Sequence, residues 1–186
     1  MNVSEMPGVY LGVVKNNKLD AEGRIEITLE GVSGNVDSYF ARVSTLMAGN
    51  ERGTLFLPEV DDQVLVAFVN GSVNGDPVII GSIWSAQDKP PDYNDNGEND
   101  LKLIKTRSGN QISFVDTDGE ETIEIQTPHG RKITIKSDPG EITITADTIT
   151  LEGNTHITGT LDIGTVSKTH IEGNTITGQE NDRSDI

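Results

Sequence analysis

The feature that most constrains this chain is a series of short alternating segments in its second half. Thr122-Ile123-Glu124-Ile125-Gln126, Lys132-Ile133-Thr134-Ile135-Lys136, Glu141-Ile142-Thr143-Ile144-Thr145 and Asp147-Thr148-Ile149-Thr150-Leu151-Glu152 each place Ile or Leu at every second position, with Thr or a charge between. That period predicts strands with one dry face. Asp116-Thr117-Asp118-Gly119, Thr127-Pro128-His129-Gly130, Ser137-Asp138-Pro139-Gly140 and Gly153-Asn154 separate the segments, and their Pro and Gly residues turn the chain. From Thr106 to Gly178 the rhythm leaves no room for a helix. Each dry face carries only two or three medium-sized aliphatics, and Phe114 is the one Phe of the region. One chain cannot close a globular core with so little, and a row of short strands also leaves open edges that must be paired or covered. Several copies wound around a common axis meet both demands, because the Ile rows meet in the middle and every strand finds a neighbour on another chain. The region is therefore expected to be an intertwined β-helix of three chains, with a single-chain β-solenoid as the alternative.

The first half predicts a different all-β unit. Strands are expected at Gly8–Lys15, Gly23–Leu29, Tyr39–Val43, Gln63–Val69 and Pro77–Trp84, with a further apolar run at Thr54-Leu55-Phe56-Leu57-Pro58. Five or six strands at this spacing make a small barrel. Residues 87–100, rich in Pro, Asp, Asn and Gly, read as a linker partly stiffened by Pro90-Pro91. The expected organisation is an OB-fold barrel over 1–86, the linker at 87–100, a triple-stranded β-helix over 101–178 and a polar tail at 179–186.

An OB barrel raises the question of nucleic acid, which charge answers. The chain carries 14 Lys and Arg against 30 Asp and Glu, a net charge of −16. Residues 1–86 hold 5 basic against 11 acidic side chains, net −6, so neither half offers a basic groove. Single-strand binding needs such a groove with exposed aromatics to stack bases. Tyr10, Tyr39, Phe40, Phe56, Phe68 and Trp84 instead lie within or beside apolar runs, where core packing is expected. No nucleic-acid partner is expected. The chain has no cysteine, which removes disulfides and thiolate metal sites. No apolar run of about 18 residues occurs, and the N-terminus lacks the features of a signal peptide. The chain is therefore expected neither to span a membrane nor to be exported by the conventional route.

The order of features in the barrel resembles a known family. Leu57-Pro58-Glu59-Val60-Asp61-Asp62-Gln63-Val64-Leu65-Val66-Ala67-Phe68, then Asn70-Gly71, then Gly75-Asp76-Pro77-Val78-Ile79-Ile80-Gly81 and Ile83-Trp84, are similar to the barrel of the contractile-tail spikes. These comprise the phage baseplate assembly protein V group and the type VI secretion valine-glycine repeat protein G. Thr106-Arg107-Ser108-Gly109-Asn110-Gln111-Ile112 and the Thr-Ile repeats resemble the start of that family's stem, so the likeness covers roughly residues 8–178. It implies a homotrimeric, membrane-piercing central spike of a phage tail, tailocin or related particle. The barrels would sit on a baseplate hub protein and the β-helix would point at the target cell envelope. Asp61 stands where the family usually has Gly, which is expected to alter one turn and not the fold. No enzyme insert separates barrel from stem, so no enzymatic activity is expected. Nor does the chain contain the His-x-His that places iron at the tip of many short spikes. A separate tip protein of the proline-alanine-alanine-arginine repeat type is the expected partner at that end.

The remaining chemistry is sparse. If Leu151, Ile157, Leu161, Ile163 and Ile171 share the dry face, His156 and His170 fall on the wet face, away from any threefold axis. His129 lies in a turn. Asp116-Thr117-Asp118-Gly119-Glu120-Glu121 lacks the third ligand before Gly and the bidentate Glu of a calcium loop. No carboxylate pair, nucleophile elbow, phosphate loop or zinc-protease helix stands out. Catalytic, cofactor-binding and metal residues are expected to be none, and no cofactor is expected. The rival reading is a receptor-binding or polysaccharide-cleaving β-helix adhesin with an anchoring barrel, which exposed aromatic platforms and a clefted carboxylate pair would favour.

Overall fold

A computed structural model describes residues 5–31, 38–72 and 75–161. The first half forms β1 (Val9–Asn16), β2 (Arg24–Leu29), β3 (Tyr39–Val43), the very short β4 (Ala48–Gly49) and β5 (Arg52–Gly53), β6 (Gln63–Phe68) and β7 (Pro77–Ser82). Five of these close a barrel in the order β1-β2-β3-β7-β6, with β6 returning to β1. All pairs are antiparallel except β3 with β7. A closed five-stranded barrel is the architecture expected of an OB fold.

Alternation decides which side chains fill it. Val14, Ile25, Ile27, Ala41, Val64 and Val66 have no solvent exposure, and Ile79, Phe68 and Met6 complete the core. The edges of Tyr10 and Tyr39 meet Phe68 at centroid distances of 5.9 and 5.6 Å, in the T-shaped geometry that aromatic quadrupoles favour. The other three aromatics correct the expectation of core packing. Phe40, Phe56 and Trp84 are exposed, because Phe40 follows Tyr39 and therefore faces outward, while Phe56 and Trp84 lie outside the barrel strands. Thr54–Pro58 is not a strand either, since β5 ends at Gly53.

The β1–β2 turn is held by one carboxylate. Asp20 accepts hydrogen bonds from the backbone N–H groups of Glu22 and Arg24 and from Arg24 Nε, each at 2.9 Å. The backbone N–H of Arg24 is the main cause that holds the Asp20 carboxyl below its ordinary 3.8. A depressed folded-state pKa stabilises above the unfolded value and fades as pH falls through the folded one. Asp20→Asn is expected to lower the thermal midpoint at pH 7, and the gap from the parent should close as pH drops below 3.8. A gap unchanged by acid in a calorimetric pH series would show that the charge contributes nothing.

Asp61, at the Gly position of the resembling family, has φ of +75°, a backbone that Asp tolerates better than most side chains. Its N–H donates to Val14 O at 2.9 Å, and Asp62 Oδ2 accepts the N–H of Glu59 at 2.8 Å. The turn is thus kept without the glycine.

The second half forms β8 (Leu101–Lys105), β9 (Gln111–Val115), β10 (Thr122–Gln126), β11 (Lys132–Lys136) and β12 (Glu141–Thr145). They make an antiparallel meander in the order β12-β11-β10-β9-β8. In these residues each strand pairs with its sequence neighbour in the same chain, where winding between chains was expected. Short Gly-containing turns make that local pairing the first available one. Asp147–Glu152, expected as a strand, has no strand partner within the described residues. The part of the β-helix expected over 162–178, with His170, and the tail at 179–186 lie outside the described residues.

Candidate functional site

The meander builds one surface whose chemistry is out of place in water. In register, Ile104, Ile112, Ile125, Ile133 and Ile144 form one row across all five strands. Phe114, Ile123, Ile135 and Ile142 form a second, which Lys102 ends. Strand alternation puts both rows on one face. These nine apolar side chains are 38 to 68% exposed. The opposite face is mostly polar, with Leu101, Leu103 and Val115 confined to its β8–β9 end. Ser113 and Thr134 are buried, and Glu124 Oε2 accepts from Lys132 Nζ at 2.7 Å and Thr134 Oγ1 at 3.1 Å.

A soluble monomer buries its apolar face and wets its polar one, and large uncovered apolar patches mark interaction sites. Fully burying an aliphatic side chain contributes about 1.5–3 kcal/mol, so each half-exposed Ile has roughly 1 kcal/mol still to gain. Across this face the sum is on the order of 10 kcal/mol per chain before the costs of association.

The chain beyond β12 adds a second unmet demand. Residues 146–161 have no strand assignment, and no backbone–backbone hydrogen bond among the described residues involves them. Ile149, Leu151, Ile157 and Leu161 along this stretch are exposed. Backbone donors and acceptors that are to leave water require partners.

The other sites weighed from the sequence hold no assembled chemistry. His156 is exposed, and His129 lies in the β10–β11 turn with its carbonyl accepting from Arg131 Nη1 at 3.2 Å. In the Asp116–Glu121 turn, Asp116 pairs with Lys102 at 2.7 Å. Among the described residues, no three His, Asp or Glu side chains are grouped to hold a metal. A cleft of about 580 Å³ lies between barrel and meander, lined by Trp84, Ile83, Lys89, Lys105, Arg107 and Asp62 among others. Arg107 there pairs with Glu59 at 2.9 Å, which ties the β8–β9 turn to the barrel.

The barrel also has a counterpart among known families. Residues 10–84 match the family described as the type VI secretion system and phage-baseplate injector OB domain. The barrel is thus what this chain shares with the injector OB domains of contractile-tail spikes. Those bounds run from the second residue of β1 to just past β7, the whole closed barrel. The actin cross-linking toxin VgrG1 of Vibrio cholerae serotype O1 is 25% identical over 162 residues, covering 74% of this chain. The chain spans 15% of that relative's length. The likeness therefore reaches past the barrel into the second half. No helix among the described residues is long and apolar enough to cross a membrane.

Proposed function

We propose that the chain is the structural, membrane-piercing central spike of a contractile injection system, acting as a homotrimer without enzymatic activity. The observation that carries this reading is the two-row Ile face of β8–β12, left open by the described residues of its own chain. Three such faces turned inward around an axis form a dry prism with the mostly polar faces outward. Residues 146–178 then continue as the intertwined β-helix, whose backbone groups find partners on the other two chains. A needle driven by sheath contraction needs axial stiffness, and strand pairing around a dry core supplies it. In this arrangement the barrels, over 1–86, sit on the baseplate hub protein and the linker at 87–100 joins them to the stem. A proline-alanine-alanine-arginine repeat protein caps the far end, which meets the target envelope. No nucleic acid, metal or cofactor takes part.

Light scattering before and after warming in SDS tests the reading. The expected result is a species of three times the 20.0 kDa chain mass that resists the detergent. A monomer at all concentrations would overturn it.

A further inference from the structure

A second apolar surface lies on the barrel side of the molecule, and the stem does not account for it. Between β3 and β6 the chain leaves the barrel as an arm, folded on itself by Ala48–Gly53 and Gly49–Arg52 pairing and by Thr54 N–H donating to Met47 O at 3.0 Å. Thr45 Oγ1 bonds Thr54 O at its base. Gly53 has φ of +154°, and a Cβ there would sit 2.5 Å from the Met47 carbonyl oxygen, so the arm's shape depends on glycine at that position. A two-stranded ribbon this small is marginal by itself, yet its large side chains face solvent. Leu46 is 94% exposed, Leu55 73%, Phe56 66% and Met47 53%.

The arm's position indicates what covers it. Its base is fixed to the barrel by Ser44 N–H on Ile79 O at 2.9 Å, and its return leads through buried Pro58 to Glu59. Glu59 is the residue paired with Arg107 in the β8–β9 turn. That turn is flanked by Ile104 and Ile112, where the Ile face of the meander begins. The arm therefore roots at the end of the stem nearest the barrel, where copies that share the stem are also side by side. Its four apolar side chains carry no charge, and the Glu51 and Arg52 at its tip are of opposite sign, so the arm offers chains of net −16 a place to touch without setting like charges together.

Resting on the trimer reading above, we propose that this arm is a clasp between barrels. Leu46, Met47, Leu55 and Phe56 of one copy pack on the neighbouring copy and carry the stem interface up onto the barrel. The contact fixes the barrels relative to one another, so that axial load passes into the stem as one body.

Oxidation of Met47 in the unaltered full-length protein tests this, because thioether oxidation follows exposure. Dilute hydrogen peroxide is added to the assembled protein, and sulfoxide at Met47 is followed by peptide mass against the urea-unfolded chain. The expected result is a trimer by light scattering in which Met47 oxidises about tenfold more slowly than in the unfolded chain. In Leu46→Ser/Phe56→Ser the trimer is expected to persist through its stem while Met47 protection is lost. A trimer with Met47 oxidised at the unfolded rate would overturn the clasp and leave the spike reading standing, with the arm free for a different protein. Protection that survives the double substitution would overturn it as well. A monomeric parent would overturn both readings.

Discussion

If the trimer proposed above forms, Ile125→Asp is expected to convert it to a monomer of 20.0 kDa and to abolish its resistance to SDS. Ile125 sits at the centre of the Ile face, on the middle strand between Ile112 and Ile133. In a trimer the substitution brings three carboxylates into one dry interior. An unpaired buried charge costs several kcal/mol per chain after relaxation, and repulsion among three such charges adds to it, against a gain of about 10 kcal/mol per chain before the costs of association. The isolated meander itself should survive, because the ladder hydrogen bonds of β10 are backbone bonds and an exposed Asp is hydrated. Gln126→Glu, one residue on and on the other face, is expected to leave the mass unchanged. Lowering the pH neutralises the introduced Asp and should restore part of the assembly. Light scattering of both variants across pH checks the expectation. An Ile125→Asp protein that stays assembled and SDS-resistant would show that copies do not meet on this face.

Ile27→Ala is expected to have the largest effect on the barrel itself. Ile27 is wholly buried and faces Val14 and Tyr39 across the β1–β2 and β2–β3 pairs. Truncating a buried Ile removes its transfer energy and leaves a cavity, at a cost of about 2–5 kcal/mol. For a unit of this size, 1 kcal/mol moves the thermal midpoint by about 4–8 °C, so the barrel's midpoint should fall by roughly 8–40 °C. Leu19→Ala, in the exposed turn between β1 and β2, should move it by at most a few degrees. Calorimetry distinguishes the two. A shift no larger than that of Leu19→Ala would mean that the barrel core does not close around Ile27. The stem's Ile face is remote from this position in the pairing scheme, so the molecular mass of the assembly should be retained at temperatures below the new midpoint.

These two substitutions also mark where sequence reading works and where it stops. Thr122–Gln126, Lys132–Lys136 and Glu141–Thr145 fall on β10, β11 and β12 residue for residue, since alternation and a Gly turn together leave one register that keeps the Ile on a single face. Asp147–Glu152 shows the same alternation, yet no partner strand lies beside it among the described residues. A strand is a paired object, and period alone does not supply the pair. Likewise, an apolar run reveals that a side chain seeks burial and does not reveal what buries it. Tyr39 and Phe40 are neighbours in one strand, but one packs on Phe68 and the other lies outside, with the Arg24 guanidinium 5.7 Å from its ring centre.

The arm of residues 44–57 was the least legible part. Leu55 and Phe56 look like core in the sequence, and only the closure of the barrel by five other strands leaves them over. From the sequence alone came the all-β class, the barrel's strands, the acidic surface and the set of Ile residues that must share a dry face. All of these are local properties, fixed by period, turn chemistry and charge. Tertiary structure decided that β8–β12 pair within one chain, that the described residues leave their Ile face open, and that an apolar arm stands off the barrel. Those are outcomes of competition among distant segments for the same partners, and a linear pattern holds no record of which segment wins.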